Sequence, residues 1–168
     1  MKTTLLTIIL AFGISILSIA QNGEQSFQAA ERFFKSGNYE KAIEHYSESI
    51  NQNPNNLNAY LRRAFCYSAT KNYEGAIKDY SKIIENDPTQ LNALNSRGSA
   101  YNKLEKYDNA MKDFNKIIAI DPNYSEAYNN RGWAKKFTGD KKGACADWKK
   151  SKKLGNGEAK IILNNNGC

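Results

Sequence analysis

Three arginines recur at a fixed interval, and this spacing could place a row of guanidinium groups on one surface. Each is followed, always at the same spacing, by an aspartate. The arginines are Arg63, Arg97 and Arg131, and the aspartates are Asp79, Asp113 and Asp147. The row could bind an anion, but guanidinium and carboxylate groups pair bidentately when partly buried. One interval before Arg63 and Asp79, the equivalent positions hold Ala29 and His45. Arginine and aspartate are therefore either both present or both absent. We therefore predict structural arginine–aspartate bridges, formed either within or between repeats.

The sequence lacks the residue patterns that catalytic and metal-binding sites usually contain. His45 is the single histidine and has no cysteine or histidine cluster around it, which favours a surface or structural role over metal binding. The sequence contains no nucleophile elbow, zinc-helix motif, phosphate loop or dinucleotide fingerprint. We therefore predict a protein that is not an enzyme and that needs no cofactor or metal.

The elements that position these residues are indicated by three prolines. Pro54, Pro88 and Pro122 are the only prolines, and they are equally spaced along the chain. The stretches IIENDP and IIAIDP that end at the second and third are nearly identical. Proline cannot continue a helical hydrogen-bond ladder, so each predicts the end of a helix. A constant period of about 34 residues is typical of a repeat protein.

Small and aromatic residues repeat in register with the prolines. The small residues are Ala30, Ala64, Gly98 and Gly132, and a second row holds Ala42, Ala76, Ala110 and Ala144. Each alanine of the second row is followed, one helical turn later, by an aromatic: Tyr46, Tyr80, Phe114 and Trp148. We predict two helices per repeat, which approach closely at the small residues while the aromatic fills the space beside them.

These rows resemble the tetratricopeptide repeat (TPR) family. The third unit carries Leu94-x-x-Arg97-Gly98-x-x-Tyr101, then Ala110-x-x-x-Phe114, then Pro122. The resemblance implies an all-α fold, a right-handed α-solenoid of four helix-turn-helix units at 23–56, 57–90, 91–124 and 125–158. A C-terminal cap follows at 159–168, with a short helix expected over Glu158–Leu163. The terminal units depart from the pattern, as terminal repeats often do.

The start of the chain indicates export. Lys2 precedes an uncharged apolar run, residues 5–20, that ends in the small residues Ser18 and Ala20. These are features of a secretory signal peptide, here residues 1–20, that is cleaved after Ala20. The alternative is an uncleaved membrane anchor, because about 20 uncharged residues can span a bilayer. We predict a mature protein that begins at Gln21, has no transmembrane span and is periplasmic or secreted.

The three cysteines leave one unpaired in an exported protein. Cys66 lies in the row of Ala100 and Ala134, which is a packing position. The ending GACADWKK…LG…EA…C resembles the terminal repeat of exported bacterial TPR proteins of the Bacteroidetes type. That resemblance implies a disulfide between Cys145 and Cys168, which would link the cap to the fourth repeat. The alternative is two unpaired thiols.

The TPR resemblance also implies a binding surface, because in this family the first helix of each pair lines a concave groove for extended peptides or helices. The leading hypothesis is a non-enzymatic protein–protein interaction scaffold whose partner is another protein of unknown identity. The groove candidates are Asn58, Arg62, Phe65, Asn92, Asn95, Ser99, Asn129, Asn130 and Trp133. Phe65 and Trp133 belong to no packing row and are expected to be more exposed than the aromatics that do. Phe27, Glu31 and Ser96 do not supply the lysine and asparagine set of the chaperone-tail-binding TPR subclass, so a carboxylate clamp is not expected.

An alternative function rests on charge. From Ala134 onward nine lysines face three acidic residues, which accounts for nearly all of the chain's excess of +7. Eight of the nine form a cluster: Lys135, Lys136, Lys141, Lys142, Lys149, Lys150, Lys152 and Lys153. Such a cluster could bind an acidic polymer or an anionic envelope surface. The competing interpretation is a solvated last helix, and no nucleic-acid motif is present.

Overall fold

The computed structural model describes residues 22–168, and within that range the regular structure is entirely α-helical. The described part of α1 covers residues 22–35. The other helices are α2 (Tyr39–Gln52), α3 (Leu57–Ala69), α4 (Tyr73–Asn86), α5 (Leu91–Lys103), α6 (Tyr107–Ile120), α7 (Ser125–Phe137), α8 (Lys141–Lys153) and α9 (Gly157–Asn165). None of the described helices has the length and apolar character needed to cross a membrane. The predicted signal peptide, residues 1–20, lies outside the described residues.

The described part of the chain divides into two compact units, which we name the N-terminal unit (residues 22–71) and the C-terminal unit (Asn72–Cys168). In the N-terminal unit α2 packs against α3. In the C-terminal unit each helix from α4 to α8 packs against the helix that follows it, and α5 also contacts α7. The first helices of two successive repeats therefore lie side by side in the C-terminal unit.

The three prolines stop the second helix of their repeats, as predicted. Helices α2, α4 and α6 end two residues before Pro54, Pro88 and Pro122. The intervening residues, Asn53, Asp87 and Asp121, have φ of −135°, −133° and −130°. A proline ring clashes with a helical conformation at the residue before it, which forces this extended backbone.

The small residues of the first helices allow the aromatics of the second helices to approach, which confirms the predicted packing in the C-terminal unit. A Cβ atom placed on Gly98 would lie 2.7 Å from Phe114. Phe114 itself is fully buried. In the N-terminal unit the corresponding Ala30 and Tyr46 are also fully buried and belong to one core cluster.

A left-handed residue forms the turn between the two helices of each repeat. Gly37, Lys71, Glu105 and Gly139 all have positive φ, at 76°, 62°, 58° and 91°. These positions are equally spaced, so the turn repeats with the period of the prolines. Glycine adopts this conformation without steric cost, whereas lysine and glutamate do not. The turn type therefore depends on the repeat geometry and not on the residue alone.

The capping helix is longer than expected from the sequence. It was predicted over Glu158–Leu163, and α9 instead runs from Gly157 to Asn165. Asn156 starts it early, because its side-chain Oδ1 accepts hydrogen bonds from the backbone N–H groups of Glu158 and Ala159.

Candidate protein-interaction site

The periodic arginines of the C-terminal unit form the predicted bridges and do not form an anion site. Arg97 donates from Nε and Nη2 to Asp113 at 2.9 and 2.7 Å, and from Nη1 to Ser81 at 3.0 Å. The hydrogen bonds to the Asp113 carboxylate raise the pKa of the Arg97 guanidinium above its ordinary value. One side chain on α5 thus ties together α4, α5 and α6.

The next arginine repeats this arrangement one repeat later. Arg131 donates from Nε and Nη2 to Asp147 at 2.8 and 2.7 Å, and from Nη1 to Asn115. Asp147 is buried and also receives Lys135 at 2.9 Å. Both bridges join residues of one repeat, which answers the question that the sequence left open.

In the N-terminal unit, Arg63 donates to Ser47 at 2.8 Å, the contact equivalent to those of Arg97 with Ser81 and Arg131 with Asn115. Arg63 and Asp79 belong to different units, and their pairing stays a prediction.

The first helices α5 and α7 present a shared surface, the α5/α7 face, on which most of the predicted groove residues meet. Asn130 on α7 donates from Nδ2 to Asn95 Oδ1 at 3.0 Å and to Ser99 Oγ at 3.3 Å, both on α5. Tyr124 donates its hydroxyl to Asn92 at 3.0 Å. These polar side chains therefore hydrogen-bond to one another and hold the two helices together.

Two buried amide oxygens lie behind this network. Asn129 was predicted as a groove residue, but it is buried, with only 6% of its surface exposed. Its backbone carbonyl accepts from Trp148 Nε1 at 3.2 Å, while its Oδ1 accepts no hydrogen bond from any described residue. The same is true of Oδ1 of Asn102, a residue that sequence reasoning missed and whose Nδ2 donates to the carbonyl of Asn130 at 3.0 Å.

A pocket of about 590 Å³, here named the aromatic pocket, opens on the α5/α7 face. Its lining residues are Ser99, Asn102, Lys103, Glu105, Tyr107, Asn129, Asn130, Trp133, Phe137 and Glu158. Phe137 stacks on Tyr107 with ring centroids 5.4 Å apart and on Trp133 at 6.0 Å. Phe137 is 59% exposed, so the aromatic wall is open to a ligand.

Trp133 is half-buried and has a packing role as well. Its ring meets Trp148 edge-on at 5.2 Å and packs against a core cluster that includes Leu163 of α9. Phe137 is the more exposed aromatic, and sequence reasoning missed it. The available signal was its place one helical turn after Trp133, on the same side of a helix.

The N-terminal unit carries its own aromatic surface on α3. Phe65 is 48% exposed and meets Phe34 at 5.4 Å and Tyr39 at 6.0 Å. Arg62 lies over the Phe34 ring at 5.0 Å and pairs with Glu31 at 3.3 Å. Phe65 and Tyr39 occupy the repeat positions of Trp133 and Tyr107, and sequence reasoning named neither Phe34 nor Tyr39 as a candidate. The remaining candidate of this unit, Asn58, is exposed at the start of α3.

Glu31 makes a partly buried polar contact in the N-terminal unit. It accepts a hydrogen bond from the Tyr46 hydroxyl. Burial, followed by this contact, raises the pKa of Tyr46 far above its ordinary value. Glu31 is therefore engaged by both Tyr46 and Arg62 and is not a free groove carboxylate.

The lysines at the C-terminal end are not equivalent. Lys135 is committed to Asp147, Lys136 lies over the Trp133 ring at 5.0 Å and Lys150 over the Tyr128 ring at 5.8 Å. By contrast, Lys141, Lys142 and Lys149 line a second pocket of about 570 Å³. We name it the lysine pocket.

Cys145 and Cys168 form a disulfide, with their Cα atoms 5.5 Å apart. It joins α8 to the residues after α9, and it also borders the lysine pocket. Cys66 is a buried free thiol in the N-terminal unit. His45 stacks on Phe33 at 5.3 Å and contacts Glu48, and the described residues contain no group of three or more side chains able to hold a metal ion.

Comparison with known proteins identifies the family. Three family profiles, each described as tetratricopeptide repeat, match residues 33–97, 91–124 and 114–146. The chain is a tetratricopeptide repeat protein. The second match covers the whole third repeat, and the three together extend over most of the described residues.

Among solved structures, this TPR protein is similar to MamA from Desulfovibrio magneticus, with 20% identity, 79% of this chain and 75% of that chain covered, and a TM-score of 0.74. Another MamA crystal structure gives 21% identity, coverage of 90% and 89%, and a TM-score of 0.75. A thermophilic TPR protein of Thermus thermophilus gives 16% identity, coverage of 80% and 75%, and a TM-score of 0.63. These similarities confirm the predicted all-α helical-repeat solenoid fold.

Among curated proteins, the chain is similar to the Hsp70-Hsp90 organizing protein 3 of Arabidopsis thaliana. The two are 44% identical over 45 residues, which cover 27% of this chain and 8% of the relative. The chain therefore spans less than a tenth of the length of that relative. The repeats and this similarity together support a protein–protein interaction scaffold.

Proposed function

We propose that this TPR protein is a non-enzymatic scaffold that binds a peptide or a helix of another protein on its first-helix surface. The observation that carries the proposal is the aromatic pocket on the α5/α7 face, where Phe137 is exposed beside Tyr107 and Trp133. Large exposed aromatics around a concave site are favoured anchors for a protein partner.

The N-terminal unit also has an exposed aromatic surface, and two of its aromatics share repeat positions with residues of the aromatic pocket. Phe65 and Tyr39 meet there at the repeat positions of Trp133 and Tyr107. A peptide could use either surface, because each offers an aromatic side chain beside polar groups. The chaperones in the name of the Arabidopsis relative are not expected partners, since this chain lacks the clamp residues for their tails.

A peptide-selection experiment tests the proposal. A random peptide library is selected on the immobilised full chain, and the affinities of the selected peptides are measured for variants. Phe137→Ala should weaken binding about tenfold or more, as expected for loss of an aromatic anchor. Ile120→Ala removes an apolar side chain that is also exposed, at 43%, but lies on the second helix α6, and it should leave binding unchanged.

Asn95→Ala tests the polar part of the surface, because it removes the acceptor of Asn130 Nδ2. Trp133→Ala is a poorer test than the sequence suggested, since Trp133 also packs against Trp148. Failure to select any peptide would contradict the proposal. Selected peptides that bind Phe137→Ala as well as the native chain would place the site elsewhere.

We propose further that the protein is exported and that its mature chain begins at Gln21. The Cys145–Cys168 disulfide supports this proposal, because disulfides persist in oxidising compartments such as the periplasm. Intact-mass measurement of material recovered from the native envelope should give the mass of residues 21–168. An intact Met1 start would instead favour the membrane anchor.

The lysine pocket favours polyanion binding as a second candidate function. Lys141, Lys142 and Lys149 have no ion-pair partner among the described residues and converge on one cavity. Binding of polyphosphate, or of vesicles rich in phosphatidylglycerol, should then weaken steeply as salt is raised, because counterions compete with it. The triple Lys→Gln variant at these positions should lose that binding, whereas Lys152→Gln with Lys153→Gln should lose less.

A further inference from the structure

The aromatic pocket has an excess of unused hydrogen-bond acceptors. Two of its amide groups already donate hydrogen bonds. Asn130 Nδ2 donates to Asn95 and Ser99, and Asn102 Nδ2 donates to a backbone carbonyl. Oδ1 of Asn102 and Oδ1 of Asn129 remain buried without a donor from the described residues. Each buried acceptor without a partner costs free energy. A ligand with several N–H donors reaches these oxygens only when the two amide side chains rotate, and for Asn102 that rotation breaks the hydrogen bond to the Asn130 carbonyl.

The charges that line the aromatic pocket favour a cation. Glu105 and Glu158 both line it, and neither belongs to an ion pair among the described residues. Lys103 is the single basic residue in the lining, so the lining residues carry a net charge of −1; Lys136, which is outside the lining, lies over the ring of Trp133. This sign is opposite to the +7 of the whole chain, so it is a local property of the site.

The aromatic wall suits a flat cation. Lys136 already lies over the Trp133 ring at 5.0 Å, so the π-face attracts a positive charge in this setting. Lys136 is exposed, and its ammonium can move away when a ligand arrives. The exposed ring of Phe137 offers a further surface on which a planar group can stack.

We infer that the aromatic pocket binds an arginine side chain of the partner peptide. The inference deepens the proposed function and rests on it. A guanidinium group is planar, stacks on aromatic rings and presents five N–H donors, which matches a pocket with several acceptors. A lysine ammonium lacks the planar shape and the fork of donors, so it fits this combination less well.

The experiment compares two capped five-residue peptides, one with a central arginine and one with citrulline in its place. Citrulline keeps the shape but has no charge. Nitrogen–proton NMR spectra of the full chain report binding through the side-chain amides of Asn129 and Asn130 and the indole of Trp133. The arginine peptide should shift these signals, and the citrulline peptide should bind about fivefold or more weakly.

Charge variants separate the pocket from the rest of the surface. Glu105→Gln and Glu158→Gln should each weaken arginine binding about two- to fivefold, and Lys103→Gln should strengthen it by a similar factor. Glu126→Gln is the matched control. Glu126 is an exposed glutamate on α7 that does not line the pocket, so its loss should have no effect.

Several outcomes would overturn the inference. They are equal binding of the two peptides, absence of any shift with the arginine peptide, or shifts centred on the lysine pocket. Library selection distinguishes this failure from failure of the proposed function. Selected peptides without arginine enrichment that still depend on Phe137 would overturn the arginine inference and leave the scaffold function standing. Failure to select any peptide would overturn the scaffold function itself.

Discussion

Gly132 lies directly against the indole ring of Trp148, with no room for a side chain between them. A Cβ atom on Gly132 would stand 2.5 Å from Trp148 Nε1 and 2.7 Å from Cδ1. The indole is buried, and its Nε1 donates to the carbonyl of Asn129. This contact sets the approach of α8 to α7, and it therefore also sets where Asn129 and Trp133 stand in the aromatic pocket.

Gly132→Ala is expected to lower the free energy of unfolding by about 1–3 kcal/mol, because the added methyl group overpacks the contact with Trp148. This loss should outweigh the gain of up to about 1 kcal/mol in helix propensity. Urea denaturation measures the change. Gly157→Ala is the control, since its Cβ position has no neighbour within 4 Å among the described residues apart from its chain neighbours and the backbone of its own helix. A variant at Gly132 as stable as the native chain would contradict the packing.

The Arg97–Asp113 bridge should show coupling in a double-mutant cycle. Arg97→Ala leaves Asp113 buried without its guanidinium partner, and Asp113→Ala removes the carboxylate that the guanidinium contacts. Each should cost about 2 kcal/mol or more, because an unpaired charge of this kind is poorly solvated. The double variant should lose about 1–3 kcal/mol less than the sum. If the two losses of unfolding free energy simply add in chemical denaturation, the two residues are not coupled.

The positive-φ turns make a prediction about Lys71. Lys71→Gly should raise the free energy of unfolding by about 1 kcal/mol, because glycine adopts φ of 62° without the Cβ clash. Gly37→Ala should instead lower the free energy of unfolding, because Gly37 has φ of 76° at the equivalent turn and alanine adopts that conformation with strain. Thermal denaturation of both variants measures the difference. A destabilised Lys71→Gly variant would mean that the lysine side chain contributes more than the strain costs.

The buried thiol of Cys66 should make stability fall at high pH. Burial raises the pKa of Cys66 from 9.0 to about 11, so the folded state favours the protonated thiol. This stabilisation is fully present below pH 9.0 and is lost as the pH rises from 9.0 towards about 11. By about pH 10 the loss should be about 1 kcal/mol.

Comparison with Cys66→Ala isolates this contribution, because alanine occupies the same repeat position at Ala100 and Ala134. Urea denaturation of both proteins at neutral pH and at about pH 10 gives the difference. An equal fall in stability for the two proteins would exclude a role for the thiol.

The disulfide should stabilise the cap of the C-terminal unit. It closes a loop with a sequence separation of 23 residues, for which chain entropy gives about 3 kcal/mol. Cys168→Ser should lower the unfolding free energy by about that amount, and α9 should then show faster amide hydrogen exchange. Peptide mapping without reductant should link Cys145 to Cys168 and find Cys66 free. A link that includes Cys66 would contradict this pairing.

The sequence alone determined the repeat and its helices. Proline acts through its own ring and on the residue before it, so the ends of α2, α4 and α6 were predictable from Pro54, Pro88 and Pro122. The close packing at Gly98 and Gly132 was equally predictable, because a residue without a side chain leaves space for the aromatic ring that packs against it. These rings are Phe114 and Trp148. Most members of the α5/α7 face could also be named from helical spacing.

Only the tertiary structure decided what those residues do. Asn95, Ser99 and Asn130 looked like free peptide contacts, but they bond across α5 and α7 because two first helices lie side by side. The aromatic pocket joins residues from α5, α6, α7 and α9, among them Phe137 and Glu158, and no sequence period relates those two. Hydrogen-bond pairing and pocket walls depend on distances between helices, which a periodic pattern does not encode.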